Sequence, residues 1–390
     1  MVMSDRRVYL DIAGKMHSLY KELVLHPPLG YQFVTEQTHW DKALSSATKV
    51  DFVYSFHLEV LNRIVPVNLA KACLERFKKP PDGTDLTYSA GHLVFRKEPW
   101  VVDVESVTQL AGGKIKHLRR YGSLIRRVLA SQYCKRIICW TEIERETFLS
   151  NLDCRTFESK IETVHLAVPK KDFDKSYNNG RLKLLFVGSV NISRSFELKG
   201  GKEVLEAFAL LNKRYDNLEL VVRQDMHGSL RAKCEGISNL RVIDGIVPWA
   251  LLEQEFKSAD IFLFPAHTTA NMATLEAMSY ELPVITTDVR ASPELVEDGK
   301  TGFLIGKSQK VQYYANGFVP QWGTSQFDKA ITVTDQQVVE ELVEKTSILI
   351  ENEELRRRMG KLGRQQIETG KFSIKKRNEK LKRIFDEATA

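Results

Sequence analysis

The sequence predicts an α/β protein built from two Rossmann-like halves. Three observations carry this. Short β-branched or aromatic runs alternate with helix-length segments along the chain, as in a parallel sheet with crossover helices. A polar, turn-rich stretch, KDFDKSYNNG from Lys171 to Gly180, divides the chain near its middle, in the manner of a linker. A length of 390 residues with 43% apolar content suits two compact domains with ordinary cores.

In the first half the runs are VYLDI (8 to 12), YQFV (31 to 34), VDFVYSF (50 to 56), LTYS (86 to 89), WVVDVE (100 to 105), RIICWT (136 to 141) and IETVHLAV (161 to 168). They predict one domain over 1–170. KKPPDGTD (78 to 85) is expected to be a loop, because two prolines and an Asp-Gly pair cannot continue a helix. Between Lys114 and Arg136 there are eight Lys or Arg residues and no acid, with Leu118, Tyr121, Leu124, Ile125, Val128 and Leu129 at helical spacings. This segment, 114–136, reads either as a surface for anionic membrane or a phosphorylated acceptor, or as a core-packed helix with a solvated basic face.

The second half is more regular. LKLLFVG (182 to 188) is a buried strand ending in Gly188, followed by the polar SVNISRSFELKGG and a helix from about Lys202 to Lys213. Then come LELVV (218 to 222), LRVID (240 to 244), a helix around Leu251 to Phe256, and IFLFP (261 to 265). From His267 to Ile305 the chain reads HTTANMATLEAMSYELPVITTDVRASPELVEDGKTGFLI. That is a small-residue loop, a helix with Glu276 at its start, the strand PVITT and a Gly-bounded turn. Carboxyl ends of parallel strands and amino ends of helices converge there, so this is the expected ligand site. Residues 308 to 334 read as an irregular, aromatic-rich insertion. Helical patterns follow over 335 to 351 and 353 to 369, and FSIKKRNEKLKRIFDEA predicts a terminal helix starting near Phe372 and Ser373. The expected segmentation is 1–170, 171–372 and a terminal helix, 373–390, packing back on the first domain.

The formal charge of +7 favours anionic partners. The five cysteines, Cys73, Cys134, Cys139, Cys154 and Cys234, are scattered without a C-x-x-C pair, which suggests neither a disulfide framework nor a zinc site and fits a reducing compartment. No run of about 18 uncharged apolar residues occurs, so a cytoplasmic protein is expected, at most peripheral at the inner face of a membrane. Asp172-Phe-Asp174 spells a D-x-D metal signature, but it stands in the linker with no strand leading into it and reads as chance. Nucleic acid is not an expected partner, since the basic segment carries no base-stacking aromatics on its charged face.

Gly188 at a strand end, the pair Lys199-Gly200, ADIFLFP, LEAMSYELPVITTD and PELVEDGKTGFLI, in this order and spacing, resemble the retaining GT-B glycosyltransferases, specifically glycosyltransferase family 4 (glycosyl transferases group 1). The resemblance is strongest from Leu182 to Ile305, weaker through the C-terminal helices and faint in the first half. It implies two Rossmann-like domains facing a central cleft. It further implies a nucleotide-sugar donor of UDP or GDP type held by the second domain, and a saccharide, lipid-linked or other hydroxyl acceptor. The enzyme would be a hexosyl-type transferase with no cofactor and no metal, fixed cations and helix dipoles stabilising the departing diphosphate.

The same resemblance assigns residues. Lys199 takes the place of the phosphate-contacting lysine. The arginine that usually follows the glycine is Ser189 here, and Arg194 is the candidate substitute. Glu276 matches the second glutamate of an E-x7-E motif, which holds the ribose hydroxyls. The first glutamate is replaced by Thr268, and the usual Gly-Phe-Gly by Thr269, Ala270 and Asn271. These residues, with Met272, Gly188 and Ser189, make up the expected donor site, although Asn271 is equally suited to a helix N-cap. In the first half Glu105 stands where relatives carry a histidine, fitting it to contact a sugar or assist acceptor deprotonation. His57 also falls at an expected strand end. The losses at Thr268 and Ser189 support a second reading, a non-catalytic partner subunit of a transferase complex, against which the retained Lys199 and Glu276 speak.

Overall fold

The computed structural model describes residues 5–12, 18–35, 66, 69–70, 72–73, 76–176, 180–188, 194–225, 228–268, 271–316 and 318–390. It divides into two compact units, one formed by Met1–Ala167, Tyr314–Gly323 and Ile374–Ala390, the other by Val168–Tyr313 and Thr324–Ser373. Each is organised around its own six-stranded parallel sheet. The expected run VDFVYSF and His57 lie outside the described residues.

In the first unit β1 (Arg6–Ile12), α1 (Ser18–Leu25), β2 (Tyr31–Val34), β3 (Leu86–Ala90), β4 (Trp100–Val104), α2 (Ile115–Ala130), β5 (Cys134–Cys139), α3 (Glu142–Asn151) and β6 (Ile161–Thr163) follow in order. The sheet order is β2-β1-β3-β4-β5-β6, so the winding reverses between β1 and β3. β4 is buried at every position, which explains the run WVVDV, apolar but for Asp103. Trp100, Val102 and Val104 pack with Leu118, Ile125 and Leu129 of α2 and Phe148 of α3. The run IETVHLAV is a strand only as far as Thr163.

The second unit contains β7 (Leu182–Val187), the one-turn helix α4 (Ser195–Leu198), α5 (Gly201–Leu211), β8 (Leu218–Gln224), α6 (Gly228–Cys234), β9 (Leu240–Asp244), α7 (Trp249–Ser258), β10 (Ile261–Phe264), α8 (Asn271–Ser279), β11 (Val284–Thr287), α9 (Ser292–Leu295) and β12 (Gly302–Ile305). Its sheet order is β12-β11-β10-β7-β8-β9. That is the doubly wound arrangement whose ligand crevice opens between the first and fourth strands, here β7 and β10. The expected Gly-bounded turn is present, the Gly299 N–H donating to the Gly302 carbonyl at 2.9 Å, and it leads into a strand, β12, that the sequence reading did not include. GFLI pairs with β11 from Gly302 to Ile305, and Gly302 permits it because an added Cβ would lie 2.0 Å from the Val284 carbonyl oxygen. β8 is also longer than LELVV, running through Arg223 and Gln224.

The insertion forms a two-strand hairpin, β13 (Tyr314–Ala315) with β14 (Val319–Pro320), and α10 (Ser325–Ala330). Its residues Tyr314–Gly323 group with the first unit, although the expected segmentation placed them in the second. The Asn151 amide of α3 donates to the Phe318 carbonyl. After α11 (Gln336–Glu351) and α12 (Glu353–Glu368), the terminal helix α13 (Ile374–Thr389) belongs to the first unit. Its Phe385 sits edge-on to Tyr31, Phe33 and Tyr88 at centroid distances of 5.2, 6.0 and 6.2 Å, and Arg377 donates to the His26 carbonyl at 2.6 Å. In the linker, Phe173 of the D-x-D tripeptide packs against Tyr280 and under the Arg364 guanidinium, a packing role for the residue between the two acids.

Candidate functional site

The site is built at the carboxyl edge of the second sheet, where β7 and β10 lie side by side. Gly188 follows β7 directly. Its N–H donates to the Arg223 carbonyl at 2.8 Å, and an added Cβ would stand 1.8 Å from Gln224 Oε1, so a side chain here would have to displace the Gln224 amide. Ser189 lies outside the described residues. The chain resumes at Arg194, whose backbone is left-handed at φ 55° and whose Nη1 donates to the Asp328 carbonyl of α10 at 2.9 Å. The candidate substitute arginine is therefore turned onto the insertion helix.

Lys199 closes α4, its N–H donating to the Ser195 carbonyl at 3.0 Å, and its ammonium is 5.8 Å from the Phe264 ring centroid at the end of β10, within cation–π range. Gly200 makes this approach possible. It has φ +77°, and a Cβ there would lie 2.1 Å from the Pro265 carbonyl oxygen. The Lys199-Gly200 pair is thus wedged against the start of the loop after β10.

That loop is tied down from below. The His267 N–H donates to the Leu198 carbonyl at 2.9 Å. The His267 ring is buried between Tyr313, whose hydroxyl is 3.0 Å from Nδ1, and Glu203 of α5, whose Oε1 is 3.4 Å from Nε2. Glu203 is 1% exposed, and neither of its carboxylate oxygens has a hydrogen-bond partner among the described residues. A buried carboxylate is costly unless matched by charge or hydrogen bonds, so the imidazole 3.4 Å away is its principal compensation. Tyr313 in turn packs edge-on to Phe327 of α10 at 6.2 Å. A chain of hydrogen bonds and ring contacts therefore connects the Lys199 turn, the loop and the insertion.

Thr268, at the position of the missing glutamate, accepts from Arg290 Nη1 at 3.4 Å. Arg290 follows β11 in a left-handed conformation, φ 51°. Thr269 and Ala270 lie outside the described residues, as does the side chain of Asn271, while the Asn271 backbone opens α8. Met272 is half-buried. Glu276, expected at the helix start, stands in the second turn of α8 because that helix begins at Asn271. Its Oε1 is 2.7 Å from Lys171 Nζ, and that ammonium also lies 5.1 Å from the Tyr280 ring and 5.6 Å from the Trp249 ring. A ligand hydroxyl accepted by Glu276 shares its carboxylate with the linker lysine.

In the first unit Glu105 directly follows β4, half-buried, its N–H donating to Gln109 Oε1 at 3.0 Å. Beside it Asp103 is buried and accepts from the Tyr20 hydroxyl and Trp140 Nε1, each at 3.0 Å. Burial pushes its carboxyl up to about 6 against the pull of these donors. The basic segment forms α2 and runs on into β5, where Lys135 and Arg136 stand; the apolar stripe of α2, Leu118, Ile125 and Leu129, is buried in the core. The segment's charge is not all unopposed: Arg126 pairs with Asp153 at 3.1 Å, and Arg136 with Glu162 at 3.3 Å.

Four side chains of consequence escaped the sequence reading: Arg223, Glu203, Lys171 and Arg290. Arg223 sits past the apolar run of its strand, and Nη1 donates to the Gly188 carbonyl at 2.9 Å. Glu203 occupies a buried position on a helix whose neighbours Val204, Ala207 and Phe208 are apolar. A charged residue within an apolar face was the available signal for Glu203.

The class that this architecture defines is the GT-B glycosyltransferase fold. Residues 181–319, which hold the corner just described, match the family model described as Glycosyl transferases group 1. Over nearly the whole chain the fold is similar to that of a glycosyltransferase from Rickettsia africae ESF-5, at 13% identity and a TM-score of 0.61, covering 99% of this chain and 98% of that one. It is equally similar to Anabaena HepE in complex with UDP and glucose, at 12% identity and a TM-score of 0.60, covering 98% and 99%. At such identities the likeness concerns the fold. Among curated proteins the chain is 28% identical over 132 residues to the capsular polysaccharide biosynthesis glycosyltransferase CapM of Staphylococcus aureus, a match covering 34% of this chain. It spans only 27% of the length of that relative. Among the described residues no helix is long and apolar enough to cross a membrane.

Proposed function

We propose that this protein is a retaining glycosyltransferase of family 4, moving a hexosyl group from a nucleotide sugar to a hydroxyl of a saccharide or lipid-linked acceptor. The observation that carries the reading is the lock between Gly200 and Pro265, which sets Lys199 beside the end of β10 at the reversal point of the second sheet. A fixed ammonium at such a crevice suits a phosphorylated ligand. In the reaction the bond between the anomeric carbon and a diphosphate oxygen breaks, its electron pair staying on that oxygen. The acceptor oxygen bonds to the carbon and gives up its proton to a base, the role proposed for Glu105. Negative charge thereby grows on the diphosphate, where Lys199 and the backbone N–H groups at the start of α8 stabilise it without a metal or other cofactor.

Glu276 holds the ribose hydroxyls, with Lys171 as its standing counter-ion. Thr268 and the loop to Met272 face the donor sugar in this reading. The complex of Anabaena HepE with UDP and glucose makes UDP-sugars the first donors to try, with GDP-sugars next. We further propose a cytoplasmic enzyme that meets anionic membrane through the exposed side of α2. A panel of UDP-, GDP- and ADP-sugars, followed by thermal shift and by sugar release, tests the function. The same assay decides the second reading, a non-catalytic partner subunit. That reading is favoured by the hydroxyl of Thr268 where a carboxylate was expected, and it predicts neither a shift nor release.

A further inference from the structure

We infer that Arg223 supplies the guanidinium that holds the donor diphosphate, in place of the arginine whose position Ser189 occupies; the inference rests on the transferase reading above. Arg223 is the penultimate residue of β8 and pairs in register with Val187, the last residue of β7. Its carbonyl accepts the Gly188 N–H at 2.8 Å, and its Nη1 donates to the Gly188 carbonyl at 2.9 Å. Backbone and side chain therefore both grip the residue that opens the loop. A guanidinium has five N–H donors in a rigid fork suited to phosphate oxygens. Among the described residues the fork makes one hydrogen bond to protein, and its buried Nε makes none.

No carboxylate pairs with Arg223 among the described residues, in contrast to the neighbouring strand cations. Arg241 is bridged to Glu219 and Glu255, and Lys183 to Glu255. The loop residues 189–193, Ser-Val-Asn-Ile-Ser, contain no acid either. Burial lowers the affinity of Arg223 for its proton, and Asp225 opposes this only through its field. A half-buried cation without a partner anion costs folding stability. At the carboxyl end of β8, one strand removed from the reversal between β7 and β10, that cost is offset when a diphosphate binds. Arg194, the other candidate, is directed away to the Asp328 carbonyl of α10.

The test is calorimetric titration of the wild type, Arg223→Gln, Arg223→Met and Arg223→Lys with UDP, GDP, ADP, inorganic pyrophosphate and uridine, alongside the ligand-free thermal midpoint. Gln can still donate to the Gly188 carbonyl but carries no charge. The expected result is a loss of tenfold or more in nucleoside diphosphate affinity for Gln and Met, partial recovery for Lys, unchanged uridine binding, and a midpoint equal to or above that of the wild type. Wild-type affinity in Arg223→Gln overturns the inference and leaves the transferase reading standing. A fall in midpoint for Met that Gln restores, with diphosphate affinity restored too, also overturns it, by making Arg223 a structural clamp. A wild type that binds none of the diphosphates overturns both.

Discussion

The His267 N–H donates to the Leu198 carbonyl at 2.9 Å, fastening the loop after β10 to the turn that ends in Lys199. The ring of the same residue covers Glu203 at 3.4 Å. Removing it leaves a carboxylate buried without compensation, which costs on the order of 3–5 kcal/mol. His267→Phe is therefore expected to be strongly destabilised, and the double change His267→Phe with Glu203→Leu to recover most of the loss. Urea unfolding of the two single variants and the double gives the coupling. Equal losses that simply add would show that the two residues do not compensate one another.

Gly200 is expected to tolerate no side chain. Alanine there meets the Pro265 carbonyl oxygen at 2.1 Å in a left-handed conformation, a strain of about 1–3 kcal/mol before any clash is relieved. Gly200→Ala should lower the thermal midpoint and weaken UDP binding together, because relief of the contact moves Lys199 off the end of β10. Titration and thermal unfolding of one preparation check both.

The first unit carries a pH dependence of definite sign. Burial raises the Asp11 carboxyl, but His92 at 3.3 Å and Arg96 at 3.0 Å outweigh it and hold the group down at about 2. A carboxyl lower in the folded than in the unfolded chain adds stability above its unfolded value near 4, and that stability is lost as pH falls through 2. Asp11→Asn is expected to cost about 2 kcal/mol at pH 7, the gap to wild type narrowing between pH 4 and pH 2. Urea unfolding across that range measures it, and a pH-independent gap would refute the assignment.

The exposed cations of α2, Lys116, Arg119, Arg120 and Arg127, offer charge but no apolar face, since the stripe is used in the core. Attraction to an anionic surface is then purely electrostatic, at about 1 kcal/mol for each basic side chain near it. Pelleting with anionic vesicles is expected to fall several-fold when these four are changed to alanine, and to vanish in high salt. Equal, negligible pelleting with anionic and neutral vesicles would remove the membrane from the account.

Much of this was legible in the sequence because apolar runs and helical spacings are set by burial. Each run read in the second half became a strand, and Gly188, Lys199-Gly200 and the loop after Pro265 came to one edge of one sheet. What stayed hidden depends on tertiary contact. The apolar run of β8 stops at Val222, so the strand was ended one residue short of Arg223. GFLI was not read as a strand because its glycine, which also bounds the turn, serves close packing against Val284. Glu203 lies one turn past Lys199 among core residues, and only the histidine from a distant strand end explains it. Lys171 was read as part of a linker, and its ion pair with Glu276 joins positions far apart in the chain.

The central claim is that the Lys199 corner works on a nucleotide sugar. The most direct measurement is release of nucleoside diphosphate from UDP-, GDP- and ADP-sugars by the wild type and by Lys199→Ala. The account predicts release from at least one donor, reduced about a hundredfold or more in the variant, since one preorganised contact to developing charge is worth roughly 3 kcal/mol, with the thermal midpoint unchanged. Release that is as fast in Lys199→Ala as in the wild type, or no release from any donor by the wild type, would contradict it.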